Sequence, residues 1–126
     1  MLAGLNHANI VTARLPETVD FFVRVLGLRV GPRPAFNFAG AWLYLGDQPV
    51  IHLVEQAAPR DPRGALDHVS FTTPDFDGAL RRLDQISVAY RASDIPSGFG
   101  RQAFLIDPNG VTIELTEVPI GGLPRS

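Results

Sequence analysis

The chain contains two copies of one sequence pattern, and this internal repeat constrains its fold more than any other feature. Leu5 and His7 recur as Leu66 and His68, 61 positions later. At the same offset three apolar positions of a predicted helix recur, Val19, Phe22 and Val25 becoming Leu80, Leu83 and Ile86. Each copy is too small to bury its own apolar face, so the repeat predicts two modules that together form a single domain.

The later parts of the two copies align with a drift of two residues, which falls at a turn, where insertions are tolerated. At an offset of 60, we expect Tyr44 to correspond to Phe104 and Leu45 to Leu105. After the longer second turn the offset becomes 62, which places His52 on Glu114.

Hydrophobic periodicity predicts the order β-α-β-β-β in each copy and hence an α+β fold. We expect strands at 4–12, 28–33, 41–45 and 50–55 in the first copy, and at 66–72, 88–91, 102–106 and 111–116 in the second. The helices are expected to begin at Pro16 and at Pro74-Asp75. Residues 57–64 have the composition of a linker, so the predicted domain 1–126 consists of module 1 at about 4–56 and module 2 at about 65–118.

Composition excludes several classes of function. A net charge of −2 without a cluster of basic residues gives no electrostatic footprint for nucleic acid. The absence of cysteine rules out disulfides and thiolate metal ligands. No stretch approaches the roughly 18 apolar residues of a membrane span, and no export signal is visible, so a cytoplasmic protein is expected.

Four polar side chains fall at repeat-equivalent positions, His7 with His68 and His52 with Glu114, and they include every histidine of the chain. A lone strand histidine is more often a hydrogen-bonded residue than a ligand, and a lone strand glutamate is more often solvated. Taken together, the four can be buried only if they are paired. Three imidazoles and a carboxylate suit a first-row divalent ion such as Zn, Ni, Co, Mn or Fe(II). The sequence therefore predicts a metal site, with two coordination positions left for a chelating substrate.

These residues resemble the vicinal oxygen chelate superfamily, which includes glyoxalase I, extradiol dioxygenases, fosfomycin-modifying thiol transferases and bleomycin-resistance proteins. The resemblance covers about residues 4–118 and depends on four motifs: Leu5-Asn6-His7, Phe21-Phe22 to Leu26-Gly27-Leu28, Leu66-Asp67-His68-Val69, and Asp107-Pro108-Asn109-Gly110 before Ile113-Glu114. It implies that the modules form a cupped mixed sheet around a metal site, usually in a homodimer whose chains both contribute to the pocket.

The branches of the superfamily differ in how well they match. Bleomycin-resistance proteins lack the ligands. Extradiol dioxygenases hold Fe(II) with the equivalents of His7, His68 and Glu114, but have tyrosine where Phe104 is expected. Thiol transferases use the same three ligands with a basic phosphonate cradle, and this chain has no lysine. Glyoxalases and epimerases use four ligands and therefore match best, although they usually have Glu or Gln at the position of His52.

The resemblance thus implies a metal-dependent lyase or isomerase of the glyoxalase type, acting on a small substrate with neighbouring oxygens through a metal-stabilised enediolate. Glu114 is the expected base and His52 the second choice. The expected pocket residues are Asn9, Tyr44, Phe104 and Arg101. The alternatives are an Fe(II) dioxygenase, a thiol transferase, or a non-enzymatic protein that binds a drug or metabolite. The sequence identifies no thiol cofactor.

Overall fold

A computed structural model describes residues 5–58, 61, 68–95 and 100–117. The chain divides into two compact units, Met1–Pro62 and Arg63–Ser126, called here the first and second modules. Within the described part of the chain, no helix is long and apolar enough to cross a membrane.

The first module consists of β1 (Ala8–Thr12), α1 (Leu15–Asp20), β2 (Arg29–Gly31), β3 (Gly40–Leu45) and β4 (Gln48–Glu55). A π-helical segment, Phe21–Val25, continues directly from α1. The four strands form one mixed sheet in the order β1-β4-β3-β2. The β1–β4 pair is parallel and the other two pairs are antiparallel.

The second module repeats this arrangement with β5 (His68–Thr73), α2 (Phe76–Gln85), β6 (Arg91–Asp94), β7 (Arg101–Ile106) and β8 (Thr112–Glu117). Its sheet has the order β5-β8-β7-β6. The β5–β8 pair is parallel and the other two pairs are antiparallel. The predicted α+β fold of two β-α-β-β-β modules with mixed sheets is confirmed.

Strand alternation gives each sheet one apolar and one polar face. In the first module Leu43, Ile51 and Leu53 are buried on one face, and in the second module Leu105 and Ile113 are buried in the same way. The residues between them are half-buried and face the other side: Trp42 and His52 in one module, Phe104 and Glu114 in the other. The alternation therefore puts the polar candidates of each module on the face opposite its apolar core.

The predicted alignment of β3 with β7 is wrong by two residues. Trp42, not Tyr44, pairs with His52, and Phe104 pairs with Glu114, so Trp42 is the equivalent of Phe104. Burial agrees, because Leu43 is fully buried like Leu105, whereas Leu45 is 54% exposed. The offset of 62 therefore already holds in β3, ahead of the turn between β3 and β4 where the drift was expected. Because the side-chain period of a strand is two, a slip of two residues leaves the predicted faces unchanged.

Two strand boundaries also differ from prediction. β1 begins at Ala8, so His7 precedes the strand in which it was expected. The strand predicted at 88–91 lies instead at Arg91–Asp94. The chain that follows α2 is still folded back on the helix at these residues: Ser87 has a φ of 57°, and the Val88 N–H donates to the Leu83 carbonyl. The predictions for 4, 59–60, 62–67, 96–99 and 118–126 lie outside the described residues.

Candidate functional site

A row of four paired residues crosses the polar face of the second sheet. Ser70 on β5 pairs with Glu114 on β8, Glu114 pairs with Phe104 on β7, and Phe104 pairs with Arg91 on β6. Residues paired across strands point to the same side of a sheet. Glu114 therefore shares its face with an aromatic ring and a guanidinium, away from the apolar core.

Glu114 lies beside His68 and is held by a short chain of hydroxyl groups. The His68 Nε2 and Glu114 Oε2 atoms are 3.9 Å apart, and only 13% of the glutamate side chain is exposed. Thr116 Oγ1 donates a hydrogen bond of 2.8 Å to Oε2. Ser70 Oγ lies 2.6 Å from Thr116 Oγ1 and is the donor of that pair, since the Thr116 proton is already used. Among the described residues Oε1 receives no hydrogen bond, so it is the oxygen free to bind a cation or accept a proton.

In the first module the equivalent row is Asn9 on β1, His52 on β4, Trp42 on β3 and Gly31 on β2. The His52 ring is stacked between two others: its centroid is 4.0 Å from that of Trp42 and 3.7 Å from that of His7. This module thus brings together two of its predicted ligands, with Asn9 next to them on the same face.

The tautomers of the two histidines follow from their acceptors. His7 Nδ1 lies 2.8 Å from Asn6 Oδ1, and His52 Nε2 lies 3.1 Å from the Pro49 carbonyl oxygen. Each of these nitrogens donates, because a carbonyl oxygen can only accept, so Nε2 of His7 and Nδ1 of His52 keep their lone pairs. Burial, and secondly the charge of His7, lower the pKa of His52, which favours the neutral form that metals bind.

The first module contributes two imidazoles and the second an imidazole with a carboxylate, which are donors of the kinds that first-row divalent ions bind. Neither module has, among its described residues, a group of three His, Cys, Asp or Glu that could hold a metal. The parallel rings of His7 and His52 also impose a condition. A metal binds imidazole in the plane of the ring, so one of the two rings must turn if both are to bind one ion.

Tyr44, predicted to line the pocket, has a structural role in the first module. Its hydroxyl donates to the Pro32 carbonyl, and the guanidinium of Arg29 lies 5.1 Å from the centroid of its ring. The ring covers Gly31 so closely that a Cβ there would be 2.5 Å from its carbons. These contacts fix the ring against the outer strand β2.

The structure places Arg101, another predicted pocket residue, on the face opposite Glu114. Its guanidinium donates to the carboxylates of Glu117 and Asp77 and lies 4.7 Å from the centroid of the Phe76 ring, on the helix side of the sheet. The Arg101 hydrogen bond lowers the pKa of the Asp77 carboxyl. Arg101 is three residues from Phe104, and an odd separation along a strand already indicates opposite faces.

Phe104 does line a cavity, and so does Arg91, an exposed residue at the start of β6. The cavity has a volume of about 500 Å³ and is lined by His68, Tyr90, Arg91 and Phe104, with apolar residues between them. The ring of Phe104 meets that of His68 edge-on, with centroids 5.9 Å apart. The strand predicted at 88–91 ends at Arg91, so the pairing of this residue with Phe104 was not predicted.

Comparison with known proteins agrees with this architecture. Residues 4–115 match the family described as the Glyoxalase/Bleomycin resistance protein/Dioxygenase superfamily. The chain belongs to this superfamily.

Curated relatives in the superfamily carry different activities in their names. The chain is 29% identical over 123 residues to "Glyoxylase I 4" of Arabidopsis thaliana, covering 90% of this chain and 70% of the relative. It is 31% identical over 119 residues to the glutathione transferase FosA of Serratia marcescens, covering 91% and 81%. Lactoylglutathione lyase of Pseudomonas aeruginosa is 24% identical, covering 93% and 84%.

Solved structures share the fold at lower identity. A glyoxylase/bleomycin resistance protein/dioxygenase domain from Frankia superposes with a TM-score of 0.77 at 22% identity, covering 93% of this chain and 98% of that one. A mutant of the fosfomycin resistance protein FosX from Listeria monocytogenes, complexed with Mn(II) and a dihydroxypropylphosphonic acid, gives 0.73 at 17% identity, with 93% of each chain covered. These likenesses show the superfamily fold.

Proposed function

We propose that this protein is a divalent-metal-dependent lyase or isomerase of the glyoxalase type, acting on a small substrate with two neighbouring oxygens. The observation that supports it most directly is the half-buried Glu114 beside His68, with one carboxylate oxygen held by Thr116 and the other free. Superfamily membership and the two relatives named as glyoxylase and lyase are consistent with this choice.

In this proposal His7, His52, His68 and Glu114 hold the ion, which is Zn, Ni, Co, Mn or Fe(II). The bound ion would supply electrostatic stabilisation of the negative charge that develops on the substrate oxygens. The chain provides two of these donors from each module, and one of the stacked His7 and His52 rings turns so that both take part. A thiol cofactor is not assigned to any residue.

Glu114 is the proposed base. Its Oε2 atom is fixed by the Thr116 hydroxyl, which is itself fixed by Ser70, so the carboxylate has a defined orientation before substrate binds. When the carboxylate is not bound to the ion, its Oε1 atom takes a proton from the substrate carbon and returns it to the neighbouring carbon. His52 is the second choice for this role, through its Nδ1 lone pair.

A second function, thiol transfer, is favoured by the state of His52. Its stack with Trp42 and its bond to Pro49 would keep it out of the metal site, leaving the three-ligand set His7, His68 and Glu114. The glutathione transferase FosA is among the relatives. The number of ligands therefore separates the two proposals.

Elemental analysis of the purified protein tests both. We expect about one equivalent of a first-row metal per chain in the wild type after reloading, and a loss of more than about tenfold in affinity in His68→Ala. His52→Ala should also lose metal if four ligands are used and retain it if three are used. The matched control is Glu55→Gln, which changes an exposed carboxylate at the C-terminal end of β4. Less than about a tenth of an equivalent of metal in the reloaded wild type would overturn both proposed enzymatic functions and favour a non-enzymatic binding protein.

The role of Glu114 has its own test. Glu114→Gln keeps one ligating oxygen but cannot accept the proton, so it should retain metal while its turnover falls about 10²-fold or more. Formation of lactoylglutathione, the compound in the name of the Pseudomonas relative, is the first reaction to measure. Equal losses of metal and turnover would contradict the assignment of the base. The proposed homodimer is tested separately by light scattering.

A further inference from the structure

We propose that Arg91 binds a carboxylate group of the substrate in the cavity of the second module, so that the substrate class is a small organic acid. This inference names the substrate class for the proposed function, and it depends on that function only for the reacting end of the molecule. The binding end follows from the cavity, from the environment of Arg91 and from the register of the sheet.

Arg91 is the arginine of the cavity wall, and it is exposed, so its charge is solvated rather than paired. Its guanidinium lies 5.8 Å from the centroid of the Phe104 ring and makes no ion pair with a described carboxylate. Arg101, by contrast, is held by two carboxylates. The lining residues include no Asp or Glu. Asp84, which accepts a hydrogen bond of 3.0 Å from the Tyr90 hydroxyl, is not part of the wall.

A guanidinium favours a planar carboxylate, which it can bind through two parallel hydrogen bonds. A phosphonate or phosphate carries more charge and is usually bound by several cations. The cavity wall offers one arginine, and the chain contains no lysine. The chemistry of the wall therefore favours a carboxylate over a phosphorus oxyanion.

The register places Arg91 and the reacting end two strands apart. Arg91 and Glu114 are both paired with Phe104, one on each side. Two strand spacings separate their backbones, which is about 10 Å. An acid whose carboxylate and reacting oxygens are separated by about one ring spans this distance, and the edge of the Phe104 ring would contact that spacer. His68 lines the cavity and lies 3.9 Å from Glu114, so a bound acid reaches the proposed reaction centre.

The first module lacks this binding place. The residue equivalent to Arg91 in the row is Gly31, and the space beside it is taken by the Tyr44 ring. Arg29, the nearby cation, lies against that ring. The two modules therefore share their row of paired residues, but among the described residues only the row of the second one ends in a cation.

Titration of the metal-free protein with three small probes, followed by amide NMR, tests the inference independently of the proposed function. The probes are benzoate, the neutral isostere benzamide, and phenylphosphonate. We expect benzoate to bind about tenfold more tightly than benzamide, as one charge-assisted pair implies, with shifts at Ala89–Arg91 and Phe104–Ile106. Arg91→Gln should remove this preference, and Arg91→Lys should keep part of it because the charge remains. Arg81→Gln, on the exposed surface of α2, should behave as wild type.

Four results would overturn the inference: no benzoate binding, equal affinity for benzoate and benzamide, unchanged preference in Arg91→Gln, or shifts confined to other residues. Tighter binding of phenylphosphonate than of benzoate would overturn the assignment of the carboxylate. Because no metal is present in these titrations, they can fail while the metal experiments succeed, and the reverse also holds. The spectrum of each variant shows directly whether it is folded.

Discussion

Asp107 is a buried carboxylate that organises the turn before β8, and its removal should destabilise the second module. Only 4% of this residue is exposed. Its Oδ1 atom accepts the backbone N–H groups of Asn109 and Val111, both at 2.8 Å, and Oδ2 accepts the Asn109 side-chain amide at 3.1 Å. The turn also contains Gly110, whose φ is 82°. The carboxylate thus satisfies two amide donors that the turn itself leaves without an acceptor.

The size of the effect follows from these bonds. A hydrogen bond to a charged group contributes roughly 1.5–3 kcal/mol, so two of them set an upper range of about 3–6 kcal/mol. Asn109 and Val111 are half-buried and Gly110 is exposed, so water can replace part of what is lost. We therefore expect Asp107→Ala to lower the free energy of unfolding by about 3 kcal/mol. Asp107→Asn keeps Oδ1 as an acceptor for both amides and should cost only about 1 kcal/mol.

Urea unfolding of the two variants beside the wild type measures these differences, with the slope of the transition checked for constancy. The matched control is Asp47→Ala, in the corresponding turn of the first module. Asp47 is exposed, and its side chain accepts only a 3.4 Å contact from Gln48, so less than about 0.5 kcal/mol is expected. Equal costs for Asp107→Ala and Asp107→Asn, or a cost for Asp107→Ala no larger than the control, would refute the reasoning.

Two further predictions concern other polar contacts. Arg101 lowers the pKa of Asp77, so their pairing stabilises the folded chain above the ordinary pKa of 3.8 and is lost as pH falls through the lowered value. Arg101→Gln should return the Asp77 pKa to its ordinary value in a carboxyl NMR titration, and an unchanged pKa would contradict the contact. The buried Thr12 hydroxyl accepts the Arg14 backbone N–H at 2.8 Å. Thr12→Val should therefore cost about 1–2 kcal/mol in urea unfolding, whereas a neutral effect would exclude a structural role for this bond.

Structural features that follow from the two-residue alternation of strands, or from the internal repeat, were predictable from the sequence. The module order, the core positions such as Ile51 and Ile113, and the equivalence of His52 with Glu114 all follow from alternation compared between two copies. Alternation was also sufficient to show that Arg101 and Phe104 face opposite sides of β7. The predicted strand begins at residue 102, so Arg101 lies outside its alternation.

Features set by local backbone geometry were not predictable in this way. Trp42 occupies the row position that was expected for Tyr44, and a pattern with a period of two cannot detect a slip of two residues. The positive φ of Ser87 delays β6, which turns Arg91 from the last residue of a predicted strand into the first residue of the observed one. This difference decides whether its side chain belongs to the row of Glu114.

The two modules differ in the surroundings of their polar candidates. In the first module the His52 ring lies between those of Trp42 and His7, and His7 itself is exposed. In the second module, Glu114 has a free oxygen and lies beside a cavity with an exposed cation. A residue that only holds a metal gains from enclosure, because its rotamer is then fixed. A residue that moves a proton needs access to the substrate. On this reasoning Glu114 is a better choice than His52 for the proposed base.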